Sequence, residues 1–204
     1  LSLGSGTYAL GAIEMLAPYL PPEATAPNSP LQQQAAAWSD RGLRVLLFAR
    51  NSEVTTLHDG EEIRLPALTP LALVSLRDAL RPFAAETLST FEQLGIDLKI
   101  ISGDNPRTVA ALAKQAGLKN TELVSGPEIA NASATELRDV VNTTSVFGRI
   151  TPEQKQAIVD ALMSQGHYVA MMGDGVNDVL SLKKAQVGIA MQSGSQATRN
   201  VADM

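Results

Sequence analysis

Three short polar segments of the sequence carry residue types that suit phosphate and metal binding. Ser102-Gly103-Asp104-Asn105 follows one apolar run, Gly173-Asp174-Gly175-Val176-Asn177-Asp178 follows another, and Lys155 stands in the first turn of a predicted helix. Together they offer a hydroxyl, backbone N–H groups, an ammonium and a carboxylate pair. Mg²⁺ prefers oxygen ligands and is usually held by one or two carboxylates, with water and phosphate completing its coordination. The set therefore predicts a site for a phosphoryl group bound with Mg²⁺.

The predicted site assigns a separate task to each residue. Asp174 is the better direct Mg²⁺ ligand because it lies nearer the end of the strand. Asp178 is interpreted either as an outer partner of the metal or as the counter-ion of Lys155, and glycines beside Asp174 permit close approach or unusual dihedrals. Ser102 and the Gly103 N–H are expected to donate to phosphate oxygens, whose charge Lys155 neutralises. Each segment alone is more typical of a turn or a solvated helix start, but their order and shared position favour a site.

The elements that must position these residues alternate from about residue 68 onward. Predicted strands cover Leu71–Leu76, Leu98–Ile101, Ser145–Phe147, Tyr168–Met172 and Val187–Met191. Predicted helices cover Pro82–Leu94, a segment from Pro106 that Gly117 ends, a segment from the capping box Thr151-Pro152-Glu153-Gln154 to Gln165, and about Val179–Ala185. Such alternation indicates a parallel sheet with right-handed crossovers. Ligands of these sheets bind beyond the carboxyl ends of the strands, where all three polar segments fall.

The first third of the chain differs from the rest in composition and in the order of its predicted elements. A proline-rich loop separates a strand at Thr7–Leu10 and a helix at Ala12–Leu20 from a second helix at Pro30–Asp40. An apolar strand at Leu43–Ala49 follows, and His58-Asp59-Gly60 between strand-like runs predicts a hairpin. We therefore expect two domains, residues 1–67 and residues 68–204. Asn131–Asn142 reads as a polar peripheral insertion.

Composition excludes several classes of protein. The 204 residues are 45% hydrophobic and 18% charged, which argues against long-range disorder. No apolar run of about 18 residues is present, so no membrane span is expected, and the N-terminus does not resemble a signal peptide. Zero cysteines and two histidines exclude disulfides and thiol catalysis and disfavour a metal site built on histidine. A net charge of −5 lacks the basic footprint of a nucleic-acid binder.

The ordered motifs resemble the cytoplasmic part of P-type cation-transporting ATPases, which belong to the haloacid-dehalogenase-like superfamily. The segment Met172–Asp178, continued by Val187–Met191, resembles the most specific signature of these pumps. Ser102–Pro106 resembles their Thr/Ser-Gly-Asp motif and Phe147–Lys155 their Phe-Ala-Arg…Pro…Lys motif. Further similarities lie at Asp78–Pro82, the hinge motif, and at Gly11–Glu14 and Gly42–Leu46, in the nucleotide-binding domain.

The resemblance implies an α/β fold with a Rossmann-like parallel sheet flanked by helices, preceded by part of an α+β nucleotide-binding domain. It implies Mg²⁺ and ATP as cofactors and Asp174 as the metal ligand. The remaining implied roles concern the phosphoryl group and the nucleotide. Phosphoryl contacts fall to Ser102, Gly103, Lys155, Asn177 and Asp178, and nucleotide contacts to Arg44, Arg149 and Asp104.

The departures from the family pattern matter as much as the matches. No aspartate in this sequence precedes a lysine, so the phosphorylated aspartate of the family's Asp-Lys-Thr-Gly-Thr is absent. The family's Lys-Gly-Ala appears here as Leu10-Gly11-Ala12. We therefore expect a fragment at the cytoplasmic face of a membrane that works with membrane helices, an actuator domain and the missing nucleophile segment. Because that segment provides a central strand, the chain alone is expected to be inactive, and to be marginally stable or to fill the gap by swapping or by association.

Two other functions remain open at the level of the sequence. A free-standing phosphatase of the same superfamily would share the three motifs but would need the missing aspartate. A non-catalytic module that binds nucleotide or phosphate would not need it. The transported ion cannot be read from this sequence, because pumps select their ion within membrane helices.

Overall fold

The structure is a computed structural model that describes residues 5–55, 58–59, 62–63 and 65–204. The chain divides into two units, Leu1–Ala79 and Leu80–Met204. The described residues of the first unit form five strands, of which three make one sheet in the order β1-β2-β5 and two make a small hairpin. The strands are β1 (Thr7–Gly11), β2 (Arg44–Asn51), β3 (His58–Asp59), β4 (Glu62–Ile63) and β5 (Thr69–Leu76), and the helices are α1 (Ile13–Leu16, extended by a 3₁₀ turn at Ala17–Tyr19), α2 (Pro22–Thr25) and α3 (Pro30–Ser39).

The sheet of the first unit buries one face against short helices. Residues of β2 alternate, so that Leu47 and Ala49 are fully buried and pack with Ile13 and Leu16 of α1. Helix α3 begins at Ser29, whose Oγ accepts the N–H of Gln32, with proline at the first helical position. The antiparallel pair β3–β4 confirms a hairpin here, but His58 and Asp59, which were predicted to lie in its turn, form strand β3. Gly60 lies outside the described residues.

The structure divides the chain one strand later than the predicted boundary. The apolar run Leu71–Leu76, expected to open the parallel sheet, belongs to β5 and pairs antiparallel with β2. The division between units falls after Ala79 rather than after residue 67. A strand's sequence does not state its direction or its partner, because both depend on residues distant in the chain.

The second unit alternates strands with helices as predicted, and all its strand pairs are parallel. Its strands form two separate sheets, β6-β8-β7 and β10-β9. The strands are β6 (Ile100–Ile101), β7 (Leu123–Ser125), β8 (Val146–Gly148), β9 (Ala170–Gly173) and β10 (Val187–Ala190). The helices are α4 (Ala84–Gln93), α5 (Pro106–Gln115), α6 (Ala134–Thr143), α7 (Pro152–Ser164), α8 (Val179–Lys184) and α9 (Gln196–Arg199).

The segment interpreted as a polar insertion, Asn131–Asn142, contains most of helix α6 and contributes to the core. Ser133 and Glu136 form a capping box at its start, and Val141 is fully buried in a cluster with Phe147 and Ile158. The polar residues of α6 cover its outer side, which is why the sequence alone suggested a peripheral insertion. Across the part of the chain that the structure describes, no helix has both the length and the apolar character needed to cross a membrane.

Candidate functional site

The loop after β9 is organised by the carboxylate of Asp178. Its Oδ2 accepts the backbone N–H of Asp174 at 3.2 Å and that of Gly175 at 3.0 Å. A Cβ on Gly173 would stand 2.5 Å from the Cβ of Asp178, so only glycine fits where the strand ends. Gly173 and Gly175 have no positive φ. Gly173 therefore provides space for the side chain of Asp178 rather than an unusual dihedral.

Lys155 reaches this loop from the start of helix α7. Thr151 and Gln154 form the predicted capping box, which fixes where the helix begins. The Nζ of Lys155 lies 2.5 Å from Oδ1 of Asp178, and both residues are more than nine-tenths buried, at 8% and 6% exposure. Of the two alternatives for Asp178, the structure shows the counter-ion of Lys155.

The surroundings of Asp178 determine its charge. Burial opposes ionisation, but the hydrogen bond from Lys155 and those from the Gly175 and Asp174 N–H groups outweigh it and lower the pKa of Asp178 below its ordinary value. Asp178 is therefore ionised at neutral pH. Both of its oxygens are occupied by donors within the protein.

Asp174 is the other carboxylate of this loop. It is exposed, and within the described part of the chain no hydrogen bond or ion pair holds its carboxylate. No group of three or more His, Cys, Asp or Glu side chains is arranged as a metal cage among the described residues. A single free carboxylate at a strand end fits Mg²⁺, which commonly keeps several waters and takes phosphate oxygens beside one or two carboxylates.

The Ser102 segment is held by strand β8 and the residue after it. The Ser102 N–H donates to the Phe147 carbonyl at 2.8 Å, and the Ser102 Oγ accepts the Asp104 N–H at 3.1 Å. Arg149 adopts a left-handed φ of 54° and donates from Nη1 to the Gly103 carbonyl at 3.2 Å. Gly103 itself is exposed, and a Cβ there would meet nothing within 4 Å.

The second unit thus holds two groups of predicted site residues. Lys155 joins Asp174 and Asp178 at the end of β9, while Ser102, Gly103, Asp104 and Arg149 meet at the ends of β6 and β8. The two groups are linked by the start of α7, since Arg149 of one group lies just before this helix and Lys155 of the other lies in its first turn. Asn177 is exposed and its side chain has no partner among the described residues.

Arg44 lies in the first unit, at the start of β2. The strand register places Leu10 of β1 opposite Phe48, and Leu10 is 58% exposed. On the same two strands Tyr8 stacks on Phe48 with ring centroids 5.6 Å apart, and Arg50 lies 5.3 Å from the centre of the Tyr8 ring.

The segment that follows β10 reaches the Asp174 loop, a contact that no local sequence pattern predicts. The Ser195 N–H donates to the Asp174 carbonyl at 2.7 Å, and the Met191 N–H donates to the Gly173 carbonyl at 3.1 Å. The run Ser193-Gly194-Ser195 after a predicted strand is a turn signal, which marks a change of direction but does not say what the turn contacts.

A parallel α/β unit with a carboxylate loop, a buried lysine and a Ser-Gly-Asp turn at its strand ends defines a class of hydrolase. The chain belongs to the haloacid dehalogenase-like hydrolases, whose family model matches residues 12–186.

Curated relatives narrow the resemblance to cation-transporting ATPases. The chain is 41% identical over 200 residues to the calcium-transporting ATPase CtpE of Mycobacterium tuberculosis, an alignment covering 98% of this chain and 23% of the relative. It is 39% identical over 202 residues to the probable cation-transporting ATPase exp7 of Streptococcus pneumoniae, covering 98% and 24%. It is 37% identical over 177 residues to the calcium-transporting ATPase type 2C member 1 of Pongo abelii, covering 85% and 18%. The chain spans about a quarter or less of each relative, and the similarity to P-type ATPases is confirmed.

Proposed function

We propose that this chain is the catalytic cytoplasmic fragment of an ATP-driven, cation-transporting P-type ATPase. The observation that carries the proposal is that the two carboxylates of the loop after β9 have different surroundings. Asp178 is buried and committed to Lys155 and the loop backbone, which leaves Asp174 exposed and free to bind a metal. The names of the relatives and the order of the three motifs support the same function.

Asp174 would hold Mg²⁺, which when bound neutralises phosphate charge during transfer. The Ser102 hydroxyl and the exposed Gly103 N–H would donate to the transferred phosphoryl group. Lys155, held in place by Asp178, would add positive charge on the side of helix α7. Asn177, exposed beside the loop, has its amide available for phosphate or for a water.

Three residues are proposed as nucleotide contacts. Arg149 and Asp104 border the Ser102 turn, and Arg44 lies at the start of β2. Leu10, which replaces the lysine of the family pattern, contributes no charge to the nucleotide phosphates. We therefore expect ATP to be bound less tightly than a lysine at this position would allow.

The nucleophile must come from a segment outside these 204 residues, because no aspartate here precedes a lysine. In the proposed pump that segment, an actuator domain and membrane helices are the partners of this chain, which works at the cytoplasmic face of the membrane. The ion is selected by residues that this chain does not contain.

The missing Asp-Lys pair also favours a second candidate, a module that binds nucleotide or phosphate without catalysis. Retention of Asp174, Lys155 and Ser102 counts against it, because binding alone does not need this set. A free-standing phosphatase is the weakest alternative, since it requires the same absent aspartate.

Phosphorylation at full natural length tests the proposal. The coding region on both sides of this segment is sequenced, and the whole protein is incubated with ATP labelled on the γ-phosphate. We expect an acid-stable label that hydroxylamine removes, as an aspartyl-phosphate requires. The Asp174→Asn variant should lose the label. The control variant Asp160→Asn removes a half-exposed charge on α7 that pairs with Lys184 of α8, and it should keep the label. A gene that encodes no Asp-Lys-Thr segment, or a wild-type protein that takes up no label, would establish the binding module instead.

A further inference from the structure

The backbone of Asp174 is held from two sides. On one side its N–H donates to Oδ2 of Asp178 at 3.2 Å. On the other side its carbonyl oxygen accepts the Ser195 N–H at 2.7 Å, and the carbonyl of Gly173 accepts the Met191 N–H at 3.1 Å. With both backbone groups engaged, the direction of the Cα–Cβ bond of Asp174 is set by the protein. Only the side-chain rotations remain to be chosen when a metal binds.

Gly194 lets the turn after β10 approach this backbone. A Cβ at Gly194 would stand 2.9 Å from the carbonyl oxygen of Met191 and 3.1 Å from both the Cα and the carbonyl oxygen of Asp174. The φ of Gly194 is not positive, so the glycine is required for space rather than for its dihedral. All three neighbouring atoms belong to the backbone and cannot rotate away. A larger residue would therefore push the turn and the Asp174 peptide apart.

Ser195 is in turn fixed by Thr198, which is fully buried. The Ser195 Oγ accepts the Thr198 N–H at 3.2 Å, and the Thr198 Oγ1 donates to the Ser195 carbonyl at 2.7 Å. These bonds close the first turn of α9 and hold the side chain and the carbonyl of Ser195. They therefore restrain the residue whose N–H donates to the Asp174 carbonyl.

We propose that Gly194 and Ser195, supported by Thr198, are positioning residues that aim the carboxylate of Asp174 at its metal. The proposal rests on the proposed function, in which Asp174 binds Mg²⁺. It adds a backbone support, contributed by the turn after β10, to the part played by Asp178. Neither Gly194 nor Ser195 is proposed to touch the metal or the phosphate.

Direct metal binding distinguishes positioning from simple stabilisation. The protein at full natural length is titrated with Mn²⁺, which prefers similar oxygen ligands and whose free ion is measured by electron paramagnetic resonance. Loss of a group that orients a metal ligand typically costs about 10-fold to 100-fold in metal affinity. We expect Gly194→Ala to weaken Mn²⁺ binding by about 10-fold. The control is Gln196→Ala, at the exposed residue directly after Ser195. This variant should bind Mn²⁺ with an affinity within about twofold of the wild type.

Thr198 provides a second pair of variants if Gly194→Ala does not fold. Thr198→Val keeps the volume but removes the hydroxyl, whereas Thr198→Ser keeps the hydroxyl. Weak Mn²⁺ binding in Thr198→Val that is recovered in Thr198→Ser supports positioning. Wild-type affinity in both variants, or a lower melting temperature with unchanged affinity of the folded protein, overturns it.

Asp174→Asn separates failure of this inference from failure of the proposed function. If Asp174→Asn abolishes Mn²⁺ binding and Gly194→Ala does not weaken it, positioning by the turn is wrong and the metal site stands. If Asp174→Asn leaves Mn²⁺ binding unchanged, the metal site itself is wrong and both proposals fall.

Discussion

Lys155 and Asp178 form a buried ion pair in which Nζ and Oδ1 lie 2.5 Å apart. The two residues are separated by 23 positions in the sequence and by two elements of structure, the body of helix α7 and strand β9. Because the other oxygen of Asp178 accepts two backbone N–H groups, this one carboxylate ties the helix to the loop that presents Asp174. The pair is thus a structural support for the candidate metal ligand.

The first prediction concerns the stability of this pair. Breaking a buried ion pair by removing one partner typically costs about 3–5 kcal/mol, because the remaining charge stays buried. We expect Lys155→Met to lower the free energy of unfolding by about this amount. The double variant Lys155→Met/Asp178→Asn should lose much less than the sum of the single losses, as measured by urea unfolding. Additive losses in the cycle would show that the two side chains are not coupled.

The second prediction is that this chain alone hydrolyses nothing. Its residues provide a free carboxylate, a lysine and a serine turn but no aspartate in the nucleophile's motif. Assays of the 204-residue chain with ATP and with a phosphate monoester, with and without Mg²⁺, should match the rate without protein. A Mg²⁺-dependent activity that disappears in Asp174→Asn would contradict the prediction and favour a phosphatase.

The third prediction concerns association. The parallel strands of the second unit fall into two sheets, and within the described residues no ladder joins β6 to β9. We expect the isolated chain to melt at low temperature or to associate, as measured by circular dichroism and by mass from light scattering. A peptide containing Asp-Lys-Thr-Gly-Thr and the apolar residues before it should raise the melting temperature, whereas a scrambled peptide should not. A monomer with a cooperative transition at high temperature and no added segment is the opposing result.

The fourth prediction concerns nucleotide affinity in the first unit. Leu10 is 58% exposed, so a lysine there keeps its ammonium in water. Exposed ion pairs contribute about 0.2–1 kcal/mol, and we therefore expect Leu10→Lys to strengthen ATP binding by about twofold to fivefold. Isothermal titration at low salt measures this, with Met15→Lys, 74% exposed on α1, as a charge-matched control. Equal gains in both variants would point to net charge rather than to a nucleotide contact at Leu10.

Local chemistry explains which parts of the fold could be predicted. The capping box of Thr151 and Gln154, the proline at the start of α5 and the apolar runs of β6, β8, β9 and β10 act over a few residues and are visible in the sequence. The same logic failed for β7 and for α6, in which Leu123 and Val124 and the buried Val141 stand among polar neighbours.

For the candidate site as well, the sequence predicted the types of the residues but not the contacts between their side chains. The sequence indicated that Asp174, Asp178, Lys155 and Ser102 belong to one kind of chemistry, because their types and order carry that information. It left two roles open for Asp178, since a choice between them depends on where helix α7 lies relative to β9.

What the sequence determined by itself is the set of elements, the family and the chemical types at the strand ends. Those properties follow from short-range hydrogen bonding, hydrophobic periodicity and side-chain chemistry. The tertiary structure alone decided that β5 pairs with β2, that Lys155 neutralises Asp178, and that Gly194 and Ser195 hold the backbone of Asp174. These contacts join residues far apart in the chain, and their energies depend on close packing between elements rather than on any local pattern.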